Sequence, residues 1–157
     1  MGVILEDSRN KIDKNKHIRE QLEALGYKVD RSKLYVGDYQ FANSGKVAID
    51  TKQDVSEICQ NVIQDHERFR NECIRAQEAN IQLIILVADP TITGLQDVFA
   101  WKNPRRFYSK KATTGRQLGK ILYSMKSKYN VDFQFCKKEE IGKRIVELLG
   151  GSNEAMS

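Results

Sequence analysis

The chain has 157 residues, 40% of them hydrophobic and 30% charged, a net charge of +5, and only two prolines and ten glycines. That balance suits one globular domain and excludes collagen-like and low-complexity chains. No apolar run approaches the ~20 residues of a membrane helix, and the opening MGVILEDSRN reaches an acid within six residues, so no signal peptide or membrane partner is expected and the default location is intracellular.

In chain order, Gly2 to Leu5 reads as a first strand running into Glu6-Asp7. Ile18, Leu22 and Leu25 mark a helix from Lys16 that Gly26 stops. Tyr27–Leu34 and Tyr35–Ala42 read as strands. The turn signal Asn43-Ser44-Gly45 then returns the chain as a strand over Lys46–Thr51, making a hairpin. One long helical stripe follows through Val55, Ile58, Cys59, Val62, Ile63, His66, Phe69, Cys73 and Ala76. On this stripe His66 is expected at the core or its boundary, and Glu72, one turn after Arg68, is expected in an intrahelical ion pair. Gln82–Val87 reads as a buried strand, 89–94 as a loop, and Thr113-Thr114 as the cap of a helix that buries Leu118, Ile121, Leu122 and Met125. Val131–Cys136 is a strand and Lys138–Leu149 a last helix. The order predicts an α/β domain with a mixed central β-sheet flanked by α-helices, over residues 1–150, with a disordered tail at 151–157. Cys59, Cys73 and Cys136 are an odd set without a C-x-x-C pair and read as buried thiols.

The positive charge is concentrated. Lys102, Arg105, Arg106, Lys110, Lys111, Arg116, Lys120, Lys126 and Lys128 fall between Val98 and Val131 with no acid among them, while the rest of the chain carries 17 basic against 21 acidic residues. Trp101, Phe107, Tyr108 and Tyr123 are interleaved with them. A one-sided basic segment is the footprint of a polyanion binder, and nucleic acid is the expected partner.

The hairpin holds the residues most informative about chemistry. Asp50 and Lys52 alternate onto one face of the returning strand, and Asp38, twelve residues before Asp50 across a tight turn, is placed to lie beside it. Asp7, at the end of the first strand, is placed to join the same sheet edge. Paired carboxylates repel unless a cation lies between them. Mg²⁺ or Mn²⁺ suits such oxygen ligands, and an adjacent lysine suits phosphoryl chemistry. The acid-x-lysine spacing alone favours a surface salt bridge over a catalytic pair.

Taken together, Asp7-Ser8-Arg9-Asn10, Gly37-Asp38-Tyr39 and Asp50-Thr51-Lys52 after the apolar Val47-Ala48-Ile49, followed by His66-Glu67-Arg68-Phe69-Arg70, resemble the nuclease domain of the XPF/Mus/Hef structure-specific endonucleases. These belong to the PD-(D/E)xK restriction-endonuclease-like superfamily. The resemblance implies a metal-dependent DNA endonuclease acting on branched, flap or single-strand-containing DNA. A Holliday-junction resolvase and a catalytically silent DNA-binding module are the alternatives. It implies Asp7, Asp38 and Asp50, with the Thr51 carbonyl, as ligands of Mg²⁺ or Mn²⁺, and Lys52 as the catalytic lysine. Arg9, Arg68, Arg70, Lys102, Arg105, Arg106, Lys110, Lys111 and Arg116 would meet nucleic acid, with Arg9 equally able to pair with Asp7. A homodimer or a separate targeting protein is further implied. Asn10, Asp50 and Thr51 stand where the family pattern has Glu, Glu and Arg.

Overall fold

The structure is a computed structural model and describes residues 2–150. Six strands form one mixed sheet: β1 (Val3–Asp7), β2 (Lys28–Ser32), β3 (Tyr39–Phe41), β4 (Ser44–Lys52), β5 (Gln82–Val87) and β6 (Asp132–Phe135). Their order across the sheet is β2-β1-β3-β4-β5-β6. β3 is antiparallel to both neighbours, whereas β1/β2, β4/β5 and β5/β6 are parallel. Strand alternation sorts the apolar side chains onto two faces. Ile4, Tyr39, Ile49, Ile84 and Leu86 pack under α1 (Lys16–Ala24) and α5 (Ile141–Leu148). Ala48, Leu83, Ile85 and Val87 pack under α2 (Val55–Ile63), α3 (His66–Glu78) and α4 (Gly115–Tyr129). The three cysteines are free and buried, as expected of apolar thiols.

Local chemistry accounts for most element boundaries. Gly26 takes φ +93° just past α1, the left-handed stop that glycine supplies without strain. Thr114 and Gln117 form a reciprocal capping box at the start of α4. β2 is shorter than expected because β1 is its only partner, and the pairing stops at Asp7 opposite Ser32. The strand expected over Tyr35–Ala42 shrinks to Tyr39–Phe41. Gly37 lies at φ +76°, where an added Cβ would come within 3.0 Å of the Ile49 carbonyl oxygen, so the chain bends into the site before it becomes a strand.

The single long helix expected from Val55 to Ala76 is two helices. α2 ends at Ile63, the amides of Gln64 and Asp65 both bond to the Gln60 carbonyl, and α3 starts at His66. The heptad from Val62 to Phe69 crosses this break in phase, so both remain buried while Ile63 and His66 turn outward. His66 therefore does not sit at the core. Short 3-10 helices at Leu95–Ala100 and Pro104–Phe107 fill the stretch before α4. The disordered tail expected at 151–157 lies outside the described residues.

β1 ends by sending successive acids to opposite faces. Glu6 is fully buried under α1, where Arg19 and Arg31 reach its Oε1 at 3.0 and 2.6 Å and the Tyr39 hydroxyl donates to Oε2 at 2.7 Å. Arg31 also donates to the carbonyls of Ser8 and Asn10, which ties the loop after β1 to this cluster. Removing one charge from a buried cluster strands its partners. Glu6→Gln is expected to lower unfolding free energy by about 3 kcal/mol, read from urea denaturation, with the loop carrying Arg9 and Asn10 losing protection in hydrogen exchange.

Candidate active site

Asp7, Asp38 and Asp50 stand in a row across three strands. Glu6 pairs with Tyr39 and Tyr39 with Ile49, and extending both antiparallel registers by one residue sets Asp7 opposite Asp38 and Asp38 opposite Asp50. The backbone bonds Asp7 N to Asp38 O (2.8 Å) and Asp38 N to Ile49 O (2.7 Å) fix this alignment. All three acids project to the face covered by α2 and α3, at the edge where β1 and β4 end, and all three are buried.

Each carboxylate has its own setting. Asp38 Oδ2 accepts from the Thr51 amide (2.9 Å) and hydroxyl (3.0 Å), and Oδ1 accepts from Asn10 Nδ2 (2.8 Å). Thus Asn10 and Thr51, two departures from the family pattern, both orient Asp38; the contacts Thr51 makes here come from its amide and hydroxyl. Asp7 Oδ1 accepts from the Leu34 amide, and Arg9 Nε lies 3.1 Å from both Asp7 oxygens while its Nη2 donates to the Leu34 carbonyl. Of the two roles open to Arg9, pairing with Asp7 is the one seen. Lys52 Nζ sits 3.4 Å from Asp50 Oδ2.

Sequence reasoning missed Glu72. It makes no ion pair with Arg68 among the described residues. Instead α3 carries it over the sheet edge, where Oε2 accepts from the Gly37 amide at 3.3 Å and the carboxyl contacts Asp50. This contact spans 35 residues and depends on how α3 docks, which the i,i+4 pattern does not reveal.

The electrostatics are those of a crowded acidic site. Burial, then the Asp50 charge and its hydrogen bond, push Asp38 up to about 7. Burial and the nearby Glu72 push Asp50 up to about 6 against the pull of Lys52. Burial alone would lower Lys52, but Asp50, Asp38, Glu57 and Glu72 hold it above the ordinary lysine value. Among the described residues no three His, Cys, Asp or Glu side chains form a ready-spaced metal cage. The donor chemistry nonetheless fits a hard divalent cation: the donors are all oxygen, Lys52 offsets only part of the repulsion between Asp38, Asp50 and Glu72, and the buried Asn61 Oδ1 at the same cavity has no hydrogen-bond partner.

The acids open into a cavity of about 440 Å³ that Lys14, Arg68 and Arg75 also line. Arg70, two residues further round α3 than Arg68, is not among its lining residues. Arg105 and Lys111 line a separate groove of about 710 Å³ against α2. Arg106 donates to the carbonyls of Lys110 and Ala112, so part of its capacity braces its own loop. Lys102, Lys110 and Arg116 are exposed.

A mixed sheet with an acid–acid–lysine edge under two helices defines a restriction-endonuclease-like α/β domain. The ERCC4 domain family matches residues 7–148, and the chain belongs to that family. The fold is that of the XPF-type endonuclease domain. The structure of XPF from Aeropyrum pernix superposes with a TM-score of 0.68 at 19% identity, covering 96% of this chain and 65% of that one. XPF from Aeropyrum pernix in complex with DNA superposes equally well, at 18% identity over 99% of this chain and 66% of that one. This chain thus spans about two thirds of the length of each. No curated protein matches by sequence. Among the described residues no helix is long and apolar enough to cross a membrane.

Proposed function

We propose that this domain is a Mg²⁺- or Mn²⁺-dependent endonuclease that hydrolyses phosphodiester bonds in branched, flap or single-strand-containing DNA. The observation that carries the reading is the buried row of acids with Lys52 at one sheet edge, in a cavity that Arg9, Lys14, Arg68 and Arg75 also line. Buried carboxylates in mutual contact cost stability, and a fold that keeps them has a use for them. Family membership and the likeness to a protein solved with DNA support the same reading.

In this scheme Asp38 and Asp50 would hold the cation and Glu72 would add the third carboxylate. When bound, the cation supplies a Lewis acid for the phosphate and lowers the pKa of attacking water. Asn10 and Thr51 fix the Asp38 carboxylate so that its orientation survives substrate entry. Asp7 serves less as a ligand than as the anchor that holds Arg9 at the cavity rim, facing the DNA backbone. Lys52 places an ammonium where negative charge builds on the phosphate oxygens, and the surrounding carboxylates keep it protonated throughout the working pH range. Arg68 and Arg75 meet flanking phosphates.

The reading is tested by incubating labelled single-stranded, duplex, flap, fork and four-way-junction DNA with the protein in Mg²⁺, Mn²⁺ or EDTA. Metal-dependent cutting of a substrate with an unpaired segment is expected. Tight binding with no cutting under either metal would leave a DNA-binding module on a nuclease fold. Glu72→Gln is expected to raise the Mg²⁺ concentration needed for half-maximal cleavage by roughly 10–100-fold, measured as initial rate against metal concentration. An unchanged metal requirement would return Glu72 to a purely structural role.

A further inference from the structure

Phe107 and Tyr108 are 89% and 88% exposed, far more than any other large apolar side chain described. Their ring centroids lie 5.5 Å apart at 72°. They are displayed on a braced loop. Buried Asn103 closes its base, donating to the Thr113 carbonyl at 2.8 Å and accepting from the Arg105 amide at 3.0 Å. Arg106 spans its tip to the carbonyls of Lys110 (2.6 Å) and Ala112 (3.0 Å). The chain thus spends hydrogen bonds on holding two rings in water, and such exposed apolar surface marks an interaction site.

The surroundings identify the occupant. Lys102, Arg105, Lys110 and Lys111 flank the rings and form no ion pair among the described residues. Two copies of this chain meeting here would oppose basic against basic, which disfavours a symmetric contact. A polyanion that also offers flat π faces matches both features, and unpaired nucleic acid is such a polymer, whereas a duplex hides its bases in the stack. The position also fits. Tyr108, Arg105 and Lys111 line the groove against α2, and Glu57 of α2 lines both that groove and the cavity holding the acids, so the two adjoin at that side chain.

We propose that Phe107 and Tyr108 form a stacking platform for unpaired bases of a DNA strand that leads into the acidic cavity, with Lys102, Arg105, Lys110 and Lys111 gripping its phosphates. This rests on the nuclease reading for what happens to the strand, but not for its binding. The test is fluorescence anisotropy in EDTA, titrating the full chain into labelled oligothymidine and into a duplex of equal length. Phe107→Ala/Tyr108→Ala is expected to weaken oligothymidine binding roughly five- to a hundredfold, to leave duplex binding within about twofold, and Phe107→Trp/Tyr108→Trp should retain wild-type affinity. Equal losses on both DNAs, or no loss on oligothymidine, would overturn the platform. So would a shift of the alanine variant from dimer to monomer in sedimentation with oligothymidine affinity kept, which would assign the rings to a contact between copies. Because binding is read without divalent metal, a protein that binds single strands through these rings yet cuts nothing would overturn catalysis and uphold the platform.

Discussion

Replacing Lys52 by alanine is expected to lower the rate of metal-dependent DNA cleavage by roughly 10²–10³-fold while leaving DNA affinity in EDTA within about twofold. Its Nζ lies 3.4 Å from Asp50 Oδ2, its side chain is only 14% exposed, and four carboxylates keep it charged. A partly buried ammonium held by the site's own acids contributes little to attracting DNA, which the exposed lysines and arginines do. Its charge becomes useful as the phosphate gains negative charge in the transition state, so its loss lowers kcat and kcat/KM together. Lys52→Arg is not expected to rescue, because a planar guanidinium does not fit the space of a point charge packed against Asp50. Single-turnover cleavage of a preferred DNA beside an affinity titration separates the two effects. A Lys52→Ala protein that cuts within about threefold of wild type would exclude electrostatic assistance of the size such donors give.

The sheet-edge half of the site was legible because its geometry is local. Asn43-Ser44-Gly45 fixes a tight turn, strand alternation puts Asp50 and Lys52 on one face, and twelve residues of hairpin bring Asp38 opposite Asp50. The helical half was not. Whether Glu72 looks at Arg68 or at Asp50 is decided by how α3 docks on the sheet edge, a contact 35 residues away in sequence that leaves no local pattern. The bend at Gly37 carried a readable signal, a glycine inside an apparent strand, which marks a bulge or close backbone approach. The buried pairing of Glu6 with Arg19 and Arg31 had none, since acids and bases 13 and 25 residues apart carry no periodicity. For the arm at 102–113, composition announced the basic charge, but only the fold separates Phe107 and Tyr108, which are exposed, from Trp101, which packs against the core.

The metal-free protein is expected to lose stability as pH rises from about 5 to 8, and Asp38→Asn to reverse that loss while eliminating cleavage. Asp38 and Asp50 are raised from 3.8 to about 7 and about 6 by burial and by one another's or Glu72's charge. In the unfolded chain both titrate near their ordinary value. Between about pH 4 and 7 the folded state therefore holds more protons than the unfolded one, so these groups favour folding most below pH 4 and that contribution is withdrawn as pH climbs through 7. At about 1.4 kcal/mol per pH unit, Asp38 alone accounts for up to about 4 kcal/mol. For a chain of this length that is a fall in melting temperature of roughly 10 °C. Magnesium should restore much of it at pH 8, because a cation bound only by the folded state stabilises by mass action. The substituted asparagine side chain keeps a carbonyl oxygen for the Thr51 donors and offers an N–H to Asp50, while the Asn10 amide turns over to present its oxygen in place of the Nδ2 that donates to Asp38. The variant in EDTA at about pH 8 should melt higher than wild type, show a flatter pH profile and gain nothing from magnesium. Melting curves in EDTA and in Mg²⁺ at about pH 5, 6, 7 and 8 decide the matter. A wild-type melting temperature that is level or rising over that range, with no response to magnesium, would mean that these carboxylates are not in the strained contact that makes them a cation site.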